Sequence, residues 1–237
     1  MPRTTEEAAI DPRSICAVVL AGGRAMRMGG VDKGLQLFKG QPLVWHALQR
    51  LQAQVPAAPG LIGINANRNL DDYAQWGHPV WPDASPDFAG PLAGFQSALQ
   101  HALEQPTSHA LPYSYLLVVP CDSPLFPLNL LQRLALALTQ TQADIAVVTT
   151  DETCLGDVND QASKPATPSL RVQPVFCLMR TALQRSLNDY MAAGGRKIET
   201  WMRQHKLVEV PFNSPTDDPN SFCNANTLAQ LNALEQQ

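Results

Sequence analysis

The sequence has no C-x-x-C pair, and its cysteines are odd in number, five in 237 residues: Cys16, Cys121, Cys154, Cys177 and Cys223. That count argues against a disulfide framework and against a zinc knuckle. Cys16 and Cys177 lie in apolar runs and read as small core residues, as expected in a reducing compartment. No run approaches the roughly 18 apolar residues a membrane span needs. The opening stretch, MPRTTEEAAIDPR, lacks the apolar segment of a secretory signal. Charge is scarce as well, at 16% of residues, and 17 basic against 21 acidic side chains leave a net charge of −4. No basic surface is available to follow a nucleic acid backbone. An anion site must therefore be local, built from backbone N–H groups and a few cations. The five histidines form no H-x-x-x-H pair and the four tryptophans are dispersed, so neither a histidine metal site nor a base-stacking platform is expected. The expectation is a soluble, cytoplasmic protein with no nucleic acid or membrane partner.

Apolar residues make up 45% of the chain. A chain of this length buries roughly 70–75% of the surface its unfolded form exposes, enough for one α/β domain without a metal or disulfide. Residues 15–20 (ICAVVL) form a short apolar run closed by glycines, the pattern of a buried parallel strand. Similar runs recur at 61–65, 115–119, 144–149 and 172–179, and 207–212 alternates like an edge strand. Between them, Val44, Ala47, Leu48, Leu51 and Val55 follow helical spacing. So do Leu92, Phe95, Leu99 and Leu103, with Pro91 placed to open the helix. Leu131, Leu134 and Leu138 form a third stripe, and Thr227-x-x-Gln230 reads as a capping box before a last helix. Strands alternating with helices predict an α/β fold: a mostly parallel, twisted sheet in a single domain, with helices on both faces. Residues 1–13 read as a flexible extension ahead of a domain at 14–237. Residues 151–171 are polar and turn-rich and read as a mobile insertion.

The segment after the first strand, LAGGRAMRMGGVDKGL, holds five glycines, Arg24, Arg27 and Lys33. Glycine lets backbone approach an anion and aim N–H groups at it, and open α/β sheets bind ligands outside the carboxyl ends of their strands. These are the parts of a triphosphate cradle. The dinucleotide fingerprint G-x-G-x-x-G is absent, as is the P-loop spacing G-x-x-x-x-G-K-[ST]. Asp122 ends the run YLLVVPCD, where a carboxylate serves either as a Mg²⁺ ligand or as a helix N-cap. Asn65 and Asp83 end further segments. Each reads as a turn residue or, through its amide or carboxylate, as a hydrogen-bonding group of a site. Asn224 and Asn226, two apart, share a face if the segment is extended. Their amides can ligate Mg²⁺ or bind phosphate, and Asn226 can instead cap the final helix. Arg196 and Lys197 read equally as a phosphate site or as a solvated helix start.

Five motifs in order carry a family resemblance. They are Leu20-Ala21-Gly22-Gly23 with Arg27-Met28-Gly29-Gly30 and Asp32-Lys33-Gly34; Asn65-Ala66-Asn67-Arg68; Gly90-Pro91-Leu92-Ala93-Gly94; Pro120-Cys121-Asp122; and Phe222-Cys223-Asn224-Ala225-Asn226-Thr227. The chain strongly resembles the molybdenum cofactor guanylyltransferases, within the wider group of nucleotidyltransferases of Rossmann-like fold. The resemblance implies GTP as donor and molybdopterin or its molybdenum form as acceptor. The acceptor's terminal phosphate would attack the α-phosphorus and release pyrophosphate, with Mg²⁺ held by Asp122. It places Lys33, Asp122 and Arg27 at the catalytic centre. It places Leu20, Ala21, Gly22, Gly23, Lys33, Asn65, Asp83, Asp122, Asn224 and Asn226 against the substrates. Molybdenum cofactor insertion proteins and molybdoenzyme chaperones are the implied protein partners. A cytidylyltransferase for the same cofactor is the nearest alternative, and a non-catalytic nucleotide- or cofactor-binding protein is the alternative of another class.

Overall fold

The computed structural model describes residues 9–21, 32–84, 90–107, 111–151, 170–225 and 228–235. In chain order the elements are β1 (Ile15–Leu20), β2 (Leu37–Phe38), β3 (Gln41–Pro42), α1 (Leu43–Gln52), β4 (Leu61–Asn65), α2 (Leu70–Ala74), β5 (Val80–Trp81), α3 (Pro91–Glu104), β6 (Tyr115–Pro120), α4 (Leu130–Thr141), β7 (Ile145–Asp151), β8 (Leu170–Arg180), α5 (Gln184–Ala192), α6 (Ile198–Met202), β9 (Leu207–Pro211) and α7 (Leu228–Glu235). Seven strands form one sheet in the order β5-β4-β1-β6-β8-β7-β9, and β2 and β3 make a small separate hairpin.

β1 is the hinge of the topology. It pairs in parallel with β4 on one side and β6 on the other. The chain runs outward through β4 and β5, then crosses back to place β6 on the far side of β1. Such a reversal opens a crevice at the carboxyl ends of the two central strands. The strands are buried on both faces, as their continuous apolar runs require. Ile15, Ala17 and Val19 face a core shared with Val44, Ala47, Leu48 and Leu51 of α1 and Leu130, Leu131, Leu134 and Leu138 of α4. Cys16 and Val18 face a second core with Leu92, Phe95 and Leu99 of α3, Leu187 and Met191 of α5, and Trp201 of α6.

The structure departs from the sequence reading in particular places. The sheet is mostly parallel, as expected, but mixed: β8 runs antiparallel to both β6 and β7, while the pairings β5–β4, β4–β1, β1–β6 and β7–β9 are parallel. Its ends reach Leu170 and Arg180, past the expected 172–179, and Asp151 pairs opposite Leu170. Residues 151, 170 and 171 thus belong to strands; 152–169 lie outside the described residues. α1 stops before Val55, which precedes Pro56 and is disfavoured from helix by it. Within the N-terminal stretch, Asp11 caps a 3₁₀ turn at Pro12–Ser14, and Gly60 donates to the Pro12 carbonyl at 3.0 Å. Thr227, the expected cap of α7, lies outside the described residues. The edge position of β9 agrees with its alternating pattern.

Candidate active site

Three parallel strands deliver their carboxyl ends side by side. Leu20 pairs with Asn65 of β4 and Pro120 of β6. The ladder continues one residue beyond: Ala21 N–H donates to the Asn65 carbonyl at 2.8 Å, and Cys121 N–H to the Leu20 carbonyl at 3.0 Å. Asp122 follows directly. It does not cap α4, which begins eight positions on and has Asn129 at its N-cap. Its carboxylate instead accepts from Lys33 Nζ at 2.5 Å, with both side chains largely enclosed. Lys33 is thereby drawn across the switch point to the end of β6.

Lys33 stands on a 3₁₀ turn, Lys33–Leu35, whose cap is Asp32. Asp32 is buried and accepts three hydrogen bonds: from Gly34 N–H at 3.2 Å, Tyr73 Oη at 2.6 Å and Asn69 Nδ2 at 3.1 Å. A buried carboxylate is tolerated when its oxygens are satisfied this way. Tyr73 comes from α2 and is fully buried; burial, then the bond to Asp32, push its hydroxyl pKa upward, so it stays a donor. A side chain at Gly34 would collide with the Tyr73 ring. The foot of Lys33 is therefore fixed by α2, an element that sequence reasoning missed.

Asn65 and Asp83 meet in a second corner. Asn65 Nδ2 donates to the Trp81 carbonyl and to Asp83 Oδ1, both at 2.9 Å. Asn67 Nδ2 donates to Asp83 Oδ2 at 2.7 Å, and Asp83 N–H returns a bond to Asn67 Oδ1 at 2.7 Å. Two amides thus clamp the carboxylate, and each of its oxygens keeps acceptor capacity. Gly94, in the first turn of α3, lies against this corner: a Cβ there would come within 2.5 Å of Asn65 Oδ1 and 2.8 Å of a Leu20 methyl.

The C-terminal segment closes a third side. Phe222 packs edge-on against Phe176 and Phe212, and Phe176 packs against Phe126. Cys223 and Ala225 bury into a small cluster with Phe38, Leu43, Leu231 and Leu234. Ala225 N–H donates to the Asp122 carbonyl at 2.8 Å, and Ser123 Oγ donates to Asn224 Oδ1 at 2.5 Å. Asn224 is the exposed residue between buried neighbours.

The structure thus gathers Leu20, Ala21, Lys33, Asn65, Asp83, Asp122 and Asn224 around the ends of β4, β1 and β6. Gly22, Gly23, Arg27 and Asn226 lie outside the described residues. Arg196 donates to the Gly195 carbonyl at 2.9 Å, and Lys197 is the N-cap of α6. The histidines among the described residues are occupied elsewhere. His46 meets the Phe38 carbonyl, His101 stacks on Trp81, and His205 meets Ser186. Burial is the chief cause that lowers the pKa of His46 and His205. Burial also pushes the Cys121 thiol upward, which leaves it a packing residue and no nucleophile. The residues that sequence reasoning missed are Asp32, Tyr73, Asn69, Asn67 and Ser123. Asp32 and Asn67 at least stood inside quoted motifs; the other three carried no local signal.

Residues 17–210 match the family described as MobA-like NTP transferase domain. The chain is 51% identical over 226 residues to a molybdenum cofactor guanylyltransferase of Acidovorax sp. (strain JS42), covering 95% of this chain and 97% of the relative. It is 47% identical to one from Bordetella pertussis (strain Tohama I), covering 95% and 99%. Among solved structures, the fold is similar to molybdopterin-guanine dinucleotide biosynthesis protein A from Archaeoglobus fulgidus, with a TM-score of 0.65 at 18% identity, covering 94% of this chain and 97% of that one. It is also similar to the bifunctional IspDF from Campylobacter jejuni, with a TM-score of 0.61 at 17% identity, covering 91% and 53%.

Proposed function

The chain belongs to the MobA-like NTP transferase family, and from that premise we propose that it transfers the guanylyl group of GTP to the molybdenum cofactor, forming the guanine dinucleotide cofactor and releasing pyrophosphate. The observation that carries this reading is the Lys33–Asp122 pair at the switch point, in a chain half identical to guanylyltransferases over nearly its whole length.

The transfer asks for positioning and charge neutralisation more than for covalent work. The attacking phosphate is already an anion, so no general base is needed, in keeping with the described histidines being engaged elsewhere. The Lys33 ammonium supplies mobile positive charge for the triphosphate, from a foot that Asp32 and Tyr73 hold still. The glycine-rich motif after Ala21, with Gly22, Gly23 and Arg27, is proposed on its composition to bind the same phosphates. Asp83, with acceptor capacity left on both oxygens, suits the two donor groups on the Watson–Crick edge of guanine, while Asn65 and Asn67 hold it in register.

Asp122 fits a magnesium ion as one carboxylate among oxygens supplied mainly by substrate. Among the described residues there is no group of three or more His, Cys, Asp or Glu side chains that would hold a metal unaided, and magnesium is commonly bound by one or two carboxylates plus substrate phosphates. When bound, the ion would withdraw charge from the phosphoryl oxygens. Cys16, Cys121 and Cys177 are buried free thiols, which supports a reducing, cytoplasmic setting. No helix among the described residues is long and apolar enough to cross a membrane. Insertion proteins and molybdoenzyme chaperones are the partners we propose to receive the product.

The test supplies purified protein with Mg²⁺, molybdopterin or its molybdenum form, and each of GTP, CTP, ATP and UTP, and follows pyrophosphate release. Acceptor-dependent release with GTP alone is expected. Release with CTP instead would overturn the base assignment and keep the site. Binding of GTP with no release from any nucleotide would make the protein a non-catalytic binder.

A further inference from the structure

Asn224 is the one exposed residue in a segment otherwise pinned to the protein. Phe222 enters the aromatic cluster, and Cys223 and Ala225 enter the cluster under α7. The Ala225 N–H is bound to the carbonyl of Asp122 itself. The backbone therefore has little freedom, and the amide plane of Asn224 is the remaining variable. Ser123 fixes that plane. Its side chain is fully buried, and its hydroxyl donates to Asn224 Oδ1 at 2.5 Å. Among the described residues the Asn224 Nδ2 group has no partner, and it belongs to an exposed residue beside Asp122.

An amide can serve a site in two opposite ways. Its oxygen can ligate a hard cation, or its NH₂ can donate to an anionic oxygen. Here the oxygen is turned to the buried hydroxyl and the NH₂ is presented. We propose that Ser123 is a positioning residue that holds the Asn224 amide with its donors outward, so that Asn224 binds a phosphate oxygen of the acceptor and does not ligate the metal. This deepens the guanylyl-transfer reading and rests on it.

The experiment compares Ser123→Ala, Ser123→Thr and Asn224→Asp with wild type. Asn224→Asp keeps an acceptor for the Ser123 hydroxyl but replaces the outward donors with negative charge. Its KM for molybdopterin is expected to rise at least tenfold. Mn²⁺ affinity of its GTP complex, read from free Mn²⁺ by electron paramagnetic resonance, is expected to stay within twofold of wild type. Tighter Mn²⁺ binding with an unchanged acceptor KM would overturn the proposal. Ser123→Ala is expected to raise the acceptor KM about three- to tenfold, the effect of one neutral hydrogen bond. Its KM for GTP should stay within twofold, and Ser123→Thr should restore the acceptor KM. Acceptor and GTP KM values rising together, or no rescue by threonine, would mark Ser123 as structural only. The ¹⁵N side-chain amide signals of Asn224 in the unliganded protein must shift in Ser123→Ala. If they do not, the bond does not exist, whatever the activity. Wild-type protein that transfers nothing to molybdopterin while those signals behave as expected would instead sink the guanylyl-transfer reading and leave Ser123 as the residue that orients the amide.

Discussion

Asp122 and Lys33 share one short ion pair, yet they come from different neighbourhoods of the chain, and their substitutions should differ in kind. Asp122→Ala removes a partly enclosed carboxylate. We expect a loss of stability on the order of 1–3 kcal/mol, between the surface and buried limits for ion pairs. The fold should survive and transfer activity should fall at least about 100-fold, equivalent to about 2.7 kcal/mol of transition-state stabilisation. Lys33→Ala should raise the KM for GTP and lower turnover together. Steady-state kinetics beside a thermal melt check both. Activity of Asp122→Ala within a few-fold of wild type would remove Asp122 from the proposed metal site. At this scale the sequence named candidates where chemistry and motif coincided, as at Lys33, Asp122, Asn65 and Asn224, and the fold brings these to neighbouring strand ends. It was unreadable where a residue acts through a partner far along the chain. Ser123 and Asn224 are 101 positions apart, and Tyr73 reaches Asp32 across 41. No local spacing encodes such a bond.

Elements place these side chains, and α3 shows how tightly. Glycine in a helix ordinarily costs stability, and alanine should improve it by up to about 1 kcal/mol. At Gly94 the sign reverses, because the added methyl would meet Asn65 Oδ1 and Leu20. Gly94→Ala is expected to destabilise by about 1–3 kcal/mol, the range for overpacking. It should also raise the KM for GTP by displacing Asn65 from Asp83. Urea unfolding and nucleotide kinetics measure the two effects, and a stabilised variant with unchanged KM would refute the steric argument. The periodicity of long helices and the apolar runs of central strands were legible in sequence, since each buries a continuous face. The direction of β8 was not, because an apolar run is the same in either orientation. Its bulge was hidden too: Val147 pairs with Cys177 but Val148 with Gln173. That offset leaves Pro174, Val175 and Phe176 outside the β7 ladder, where proline is tolerated and Phe176 turns to the cluster that anchors Phe222. The short helices α2 and α6, five residues each, offer too few turns for a period to register.

On the scale of the whole molecule, the sheet separates two cores, and the site stands at the strand ends where neither core is disturbed. Residues 152–169 join Asp151 and Leu170, which are already paired opposite each other. A two-residue Asn-Gly turn would satisfy that junction. Replacing 152–169 by Asn-Gly is expected to keep the fold and to leave kcat/KM for both substrates within about threefold: β7 ends at the same edge of the sheet as β6, but Lys33, Asp83 and Asp122 are held by residues outside this polar segment. Loss of transfer from a protein that still melts cooperatively would assign the segment to the acceptor side.

The bond from Ala225 to Asp122 has a consequence in time. A ribosome makes residue 225 about a hundred residues after residue 122, a delay of roughly 5–20 s at ordinary elongation rates. Throughout that interval the nascent chain already owns Asp122, Lys33 and the Asn65–Asp83 corner, but the wall carrying Asn224 has not been synthesised. A growing chain can thus gather the groups proposed for the nucleotide before it has those proposed for the acceptor. Birth order alone would keep an unfinished polypeptide from spending GTP on a cofactor it has no means of seating.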